Sequence, residues 1–233
     1  MRNFLLILSF LICASTFAQV NHTDEKGLKQ GKWVKTYESG KKRYEGYFKN
    51  NVPVGTFIYY FEREGGKMSE IIYRKESGIG YAKAYHSNGV LQAEGIYKNQ
   101  LRDSTWRYYD KKGILTQSEE YAAGVLDGDQ ITYYESGKLA EKKTFKNGAQ
   151  EGVWLRKWED GKLRTKGIYV DDQLNGECTY FDEEGKLLAK GVYKRDKKHG
   201  SWYYFEENKV ERKEDYRYGE LESETIYDTE KEK

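Results

Sequence analysis

"YYESGKLAEKKTFKNGAQEGVW" occupies residues 133–154, and "KWEDGKLRTKGIYVDDQLNGEC" occupies residues 157–178. Each stretch runs from an aromatic through an acidic turn ending in glycine, a basic run, a second aromatic and another polar turn, and arrives at glycine again. The chain is repeating itself. With Gly31 as phase zero, the same phase is held by Gly55, Gly80, Ser104, Gly128, Gly152, Gly176 and Gly200, at a spacing of 24 residues with one step of 25. The doubled Gly65-Gly66 is the source expected for the extra residue.

Nine residues into most units a second glycine closes a polar cluster, as at Gly40, Gly89, Gly113, Gly137, Gly161 and Gly185. A cluster of this kind supplies the positive φ of a tight hairpin turn. About eight residues further on stands an aromatic in every unit: Phe48, Tyr73, Tyr97, Tyr121, Phe145, Tyr169, Tyr193 and Tyr216. A second aromatic column lies two residues after phase zero, at Trp33, Phe57, Trp106, Trp154 and Trp202, with Ala82, Gln130 and Cys178 as exceptions. Between the columns apolar and charged residues alternate with a period near two, which argues for strands and against helix. Each unit therefore reads as two strands joined by a short turn, with a longer turn leading into the next unit.

One such hairpin cannot hold itself together in water, whereas stacked hairpins can. The expected fold is all-β, an elongated antiparallel sheet of about eight stacked 24-residue β-hairpins over residues 31–220. Trp33, Trp106, Trp154, Trp202, Tyr97, Tyr121, Tyr169 and Tyr193 are its expected structural columns.

The ends read differently. MRNFLLILSFLICASTFAQ combines Arg2, a short apolar run and a small-residue exit, so residues 1–18 are expected to be a signal peptide cut after Ala18. The chain is then exported to the periplasm, outer envelope or medium, and Cys178 is left as the one cysteine of the mature protein, expected to be buried and inert. Residues 19–30 form a lead-in. At the other end Lys209 replaces the turn glycine, and residues 221–233 are expected to cap the array, with Ile226 and Tyr227 touching the last hairpin and the EKEK tail in solvent.

A chain that is 33% charged yet has a formal net charge of +2 offers nucleic acid no bulk attraction. No catalytic residues, cofactor or metal site are expected: His22, His86 and His199 are far apart along a linear array, and no nucleophile, zinc or phosphate-loop motif occurs. Glu38, Glu135, Glu159 and Glu183 sit on solvent-facing turns, where burial cannot tune them for acid–base work.

Two distributed features are candidate binding surfaces. One is a basic stripe after the turn glycines, including Lys138, Lys162 and Lys186, read first as a lattice of exposed ion pairs and second as an anion track. The other is a set of tyrosine pairs, Tyr59-Tyr60, Tyr108-Tyr109, Tyr133-Tyr134 and Tyr203-Tyr204. Adjacent strand positions face opposite sides, so one member of each pair leaves the packed side and offers contact area to a protein or glycan.

"GKWVKTYESGKKRYEGYFKN" (31–50) and "GECTYFDEEGKLLAKGVYKR" (176–195) resemble the MORN repeat variant, and the lead-in "NHTDEKGLKQGKW" (21–33) is similar to the start of exported bacterial members. The resemblance implies an elongated sheet of hairpins used as a scaffold or binding surface. Similar bacterial proteins are labelled as antitoxins of a YwqK-like family. The expected function is an exported, non-catalytic scaffold for protein–protein interaction. The alternatives are an envelope-associated binder of glycan or anionic lipid, and an antitoxin-like role. The identity of the partner and the oligomeric state stay open at this point.

Overall fold

The computed structural model describes residues 19–74 and 77–227; the expected signal peptide and the EKEK tail lie outside them. The described residues form twenty strands and no helix. The first ten are β1 (His22–Thr23), β2 (Lys29–Thr36), β3 (Lys42–Lys49), β4 (Val52–Tyr60), β5 (Lys67–Tyr73), β6 (Ile79–Tyr85), β7 (Leu91–Lys98), β8 (Leu101–Tyr109), β9 (Leu115–Ala122) and β10 (Val125–Tyr133). The rest are β11 (Leu139–Lys146), β12 (Ala149–Gln150), β13 (Gly152–Lys157), β14 (Leu163–Val170), β15 (Gln173–Leu174), β16 (Gly176–Phe181), β17 (Leu187–Lys194), β18 (Lys197–Glu206), β19 (Lys209–Arg217) and β20 (Glu220–Ile226). Strands β12 and β13 both pair with β11, and β15 and β16 both pair with β14, so each couple is one interrupted strand. The ladders are antiparallel and link neighbours in sequence, giving eight hairpins from β2–β3 to β18–β19, followed by β20. This is the expected all-β sheet.

The two kinds of turn are the reverse of the sequence expectation. The turn inside a unit is the longer one: Tyr37 to Lys41 is closed by Tyr37 N–H on Lys41 O (2.8 Å) and Gly40 N–H on Tyr37 O (3.0 Å), with Gly40 at φ 79°. The extra residue of the second unit sits in its equivalent, Phe61 to Gly66, as the glycine doublet suggests. The connections between units are mostly two-residue turns with both φ values positive: Asn50-Asn51 (52°, 66°), Asn99-Gln100 (51°, 67°), Asp171-Asp172 (47°, 63°) and Arg195-Asp196 (51°, 62°). Such a turn matches the right-handed twist of its flanking strands, and Asn and Asp tolerate the left-handed region. The last hairpin, which lacks the turn glycine, also closes on two residues, Glu207-Asn208.

These short turns are stapled back onto their own unit. Asn51 N–H donates to Lys29 O (3.2 Å), while its Oδ1 accepts from Lys29 N–H (2.8 Å). Asp172 makes the same pair of bonds with Gln150 (3.1 and 2.6 Å), and Asp196 with Leu174 (3.0 and 2.7 Å). Backbone groups at a strand start are thus satisfied across 22 residues of chain.

The phase-zero residue marks a bulge rather than a turn. Between the register pairs Glu45↔Ile58 and Tyr47↔Val54, the three residues Gly55, Thr56 and Phe57 oppose Gly46 alone. Residues 104–106 oppose Gly95 in the same way, and residues 200–202 oppose Gly191. The bulge needs a left-handed residue, supplied by Gly55 (65°), Ser104 (59°) and Gly200 (67°). Gly80 is the exception, and there β5 meets β6 in unbroken register.

The bulge lays the ring of one unit flat on the glycine of the preceding one. A Cβ on Gly46 would lie 2.4 Å from the Phe57 ring, on Gly95 2.4 Å from Trp106, and on Gly191 2.3 Å from Trp202. The two aromatic columns interleave on this face in edge-to-face contacts: Trp33–Phe48 (5.9 Å), Phe48–Phe57 (5.0 Å), Phe57–Tyr73 (5.6 Å), Tyr97–Trp106 (4.9 Å), Trp154–Tyr169 (5.8 Å) and Tyr193–Trp202 (5.0 Å). Where the unit offers only Ala82, the residue opposite is Ile71 instead of glycine, so volume is conserved. The sheet is one layer thick, so Trp33, Trp154, Tyr97, Tyr121, Tyr169 and Tyr193 are half-buried, while Trp106 and Trp202 are buried beneath their neighbours. Cys178 fills a place in the tryptophan column and is fully buried, and burial pushes its thiol pKa up.

At the C-terminal end β20 pairs with β19 from Arg217↔Glu220 to Arg212↔Ile226, and Tyr227 N–H continues to Glu211 O (2.8 Å). Ile226, expected to pack on the last hairpin, is instead 72% exposed; backbone pairing and not an apolar contact holds the strand. With Glu220, Glu222 and Glu224 along it, β20 places charge where a bare edge would recruit another chain. Deleting residues 221–233 is expected to leave the circular dichroism of the sheet intact and to produce species larger than the intact chain in sedimentation. An unchanged sedimentation profile would show that β20 protects nothing.

Candidate functional site

Alternation divides the sheet into two faces. The aromatic face carries the interleaved columns together with three cations, each two residues before phase zero and four before a tryptophan. Lys29 Nζ lies 4.8 Å from the centroids of both Trp33 and Phe48. The Arg102 guanidinium lies over Trp106 (5.0 Å) and Tyr121 (5.3 Å) and donates to the hydroxyls of Tyr108 (3.0 Å) and Tyr121 (2.9 Å). Lys198 repeats the arrangement four units later, over Trp202 (4.7 Å), Tyr204 (5.2 Å) and Tyr216 (4.9 Å).

The two fuller clusters each contain a buried carboxylate. Glu119 accepts from Tyr121 (2.7 Å) and Gln130 (2.9 Å), and Glu214 from Tyr216 (2.6 Å) and Arg212 (3.2 Å). Burial opposes ionisation of both, yet the tyrosine hydroxyls and nearby cations outweigh it and hold both pKa values below the ordinary value. These clusters escaped the sequence reading, although Lys29-x-x-x-Trp33, Arg102-x-x-x-Trp106 and Lys198-x-x-x-Trp202 form a visible signal.

The opposite face carries a ladder of tyrosine–glutamate bonds between consecutive units: Tyr60 donates to Glu45 (2.6 Å), Tyr85 to Glu70 (2.7 Å) and Tyr109 to Glu94 (2.8 Å). Tyr81 donates to Glu94 as well. The hydrogen bond from Tyr60, with help from Lys42, holds Glu45 at about 2, and the same bond pushes Tyr60 up to about 12. Burial, followed by the bond to Glu70, pushes Tyr85 up to about 12.

The signs fix a pH window. A depressed carboxylate contributes stability that is complete above its unfolded value, about 4.3, and lost as pH falls toward about 2. A raised phenol contributes stability that is complete below about 10 and lost as pH rises through about 12. Denaturant midpoints are therefore expected to fall on both sides, and Tyr60→Phe to flatten both limbs. A variant whose pH profile overlays that of the parent would mean the ladder carries no linkage.

The sequence-expected tyrosines do not share one surface. Tyr59 and Tyr108 lie on the aromatic face, Tyr59 5.7 Å from the Tyr44 ring and Tyr108 against Arg102. Tyr133 and Tyr203 lie on the opposite face, Tyr133 bonded to Ser118 (3.1 Å) and Tyr203 flanked across the ladders by Lys190 and Lys213. Lys138, Lys162 and Lys186 belong to neither face but to the edge formed by the longer turns. There Lys162 reaches Asp160 (2.8 Å) and Glu183 O (2.8 Å), and Lys186 reaches Glu207 (2.8 Å), tying turn to turn. Lys138 is exposed on that edge.

The histidines are apart. His86 Nε2 meets Tyr109 O (2.9 Å), His199 Nδ1 accepts from Tyr218 N–H (3.4 Å), and His22 lies in β1. Among the described residues no three His, Cys, Asp or Glu side chains are gathered as a metal site requires.

A one-layer sheet of successive hairpins, with its side chains committed to ladders on two open faces, defines a repeat scaffold. Residues 29–50, 79–99, 126–147, 150–171 and 174–195 match the family model of the MORN repeat variant, and the chain is a MORN-repeat-variant protein. The second, fourth and eighth hairpins lie outside the matched segments yet fold in the same way. No curated protein matches the chain.

Proposed function

We propose that this protein is an exported, non-catalytic scaffold whose aromatic face binds another protein. The observation that carries the reading is the row of rings from Trp33 to Tyr73, continued at Tyr97–Trp106, Trp154–Tyr169 and Tyr193–Trp202, in which Phe57, Trp106 and Trp202 are buried and the other rings lie half-buried on a single-layer sheet. Half-buried tyrosine and tryptophan give a partner large contact area at small entropic cost, and the enclosed cations and carboxylates supply fixed polar groups between the rings. Export rests on the apolar run within residues 1–18 and its small-residue exit.

A photo-crosslinking residue in place of Lys35, which is exposed on the aromatic face, tests this in the native cell. Adducts with a distinct envelope protein are expected. Adducts confined to glycan or lipid would support the alternative binder, and recovery of the chain with Met1 intact in the cytoplasm would end the export reading.

A further inference from the structure

The face opposite the aromatic rings has a pattern that the scaffold reading does not use. Its central column, one residue from the second strand of each of the first seven hairpins, reads Glu45, Glu70, Glu94, Ser118, Lys142, Lys166 and Lys190. Acid holds the first three of these seven and base the last three, with Ser118 on β9 at the centre, and Lys213 of the eighth hairpin continues the basic run beyond them. Rotating the sheet by half a turn about the β9 direction and laying it on the original brings Glu94 over Lys142, Glu70 over Lys166 and Glu45 over Lys190.

The same rotation pairs six exposed apolar side chains of this face. Tyr47 (50% exposed) falls on Val192 (43%), Ile72 (49%) on Ile168 (37%), and Tyr81 (40%) on Val153 (42%). These six lie in β3, β17, β5, β14, β6 and β13, and each pair occupies strands equally distant from β9. An exposed apolar series on a soluble sheet marks a contact surface, and a surface that complements itself under a two-fold rotation fits a second copy of the same chain.

From this palindrome we infer that the protein pairs with itself face to face, through the side opposite the aromatic columns. Apolar contact between the six side chains drives the association. The charges set the register: Glu45 and Glu70 already hold their own Lys42 and Lys67 (3.0 and 2.6 Å), so a second copy adds modest attraction in the correct alignment and repulsion in shifted ones. Two sheets meeting in this way pack about 10 Å apart, as in a β-sandwich. The dimer leaves both aromatic faces outward.

Sedimentation of the full chain across the micromolar range tests this. The parent is expected to be a dimer, and both Ile168→Asp and the triple variant K142E/K166E/K190E to be monomers with unchanged circular dichroism and melting. A photo-crosslinking residue at Lys166 is expected to join a second copy within β5, near Glu70. A monomeric parent, a dimer that survives both variants, or a Lys166 adduct that maps elsewhere on the second copy would each overturn the proposal.

Discussion

Replacing Trp202 by alanine is expected to be among the most damaging single changes to this protein. The ring is 1% exposed, meets Tyr193 edge-on at 5.0 Å, carries Lys198 at 4.7 Å over its face, and donates from Nε1 to Val192 O at 3.1 Å. Removing a buried tryptophan costs about 3–5 kcal/mol, whereas Lys162→Ala, which touches only exposed turn groups, is expected to cost less than about 0.5 kcal/mol. Stability in a repeat array is a sum of unit and interface terms, so the loss falls on the hairpins β15–β19 first. Hydrogen exchange should show those strands opening while β2–β5 stay protected. Equal effects of the two substitutions on denaturant midpoints would remove the assignment of the tryptophan column to the interior.

Gly191→Ala is the second large effect, and it is conditional on the first. The added Cβ would lie 2.3 Å from the Trp202 ring, a distance that forces the ring off the sheet. Overpacking of this kind costs about 1–3 kcal/mol. Once Trp202 is alanine the ring that blocks this Cβ is gone, so the same glycine substitution should then cost much less. The pair is therefore expected to be strongly non-additive, and a double-mutant cycle measures the coupling directly. Additive costs would show that Gly191 is required for its backbone and not for the ring upon it.

Much of this architecture was legible because a period of 24 residues places identical demands on identical positions. Gly40 and its equivalents announce their turns, and the two aromatic columns announce a packed face. The order of the turns was misread because Asn99-Gln100, Asp171-Asp172 and Arg195-Asp196 contain no glycine; at the last two the left-handed backbone is stabilised by side-chain bonds to residues 22 positions away. The side taken by each tyrosine was not legible, for a related reason. Tyr59 and Tyr60 alternate as expected, but which of them joins the packed layer is set by the bulge at Gly55, where three residues face one. The tyrosine–glutamate ladder was equally out of reach, since Tyr60 and Glu45, like Tyr85 and Glu70, become neighbours only through the pairing of strands from different units.

The staple between each short turn and the start of its own unit carries a consequence for how such a chain can change. Asn51 returns to Lys29, Asp172 to Gln150 and Asp196 to Leu174, so each of these three modules is closed upon itself before the next begins. Duplication or loss of a 24-residue segment cut at one of these turns would therefore splice equivalent ends, keep every ring above its own glycine and leave the two faces unmixed. Reach becomes a heritable variable independent of surface chemistry: the molecule can be made longer or shorter by counting modules. The acid-to-base inversion about Ser118, by contrast, records one particular count of the first seven modules, because a change in number among them would move its centre.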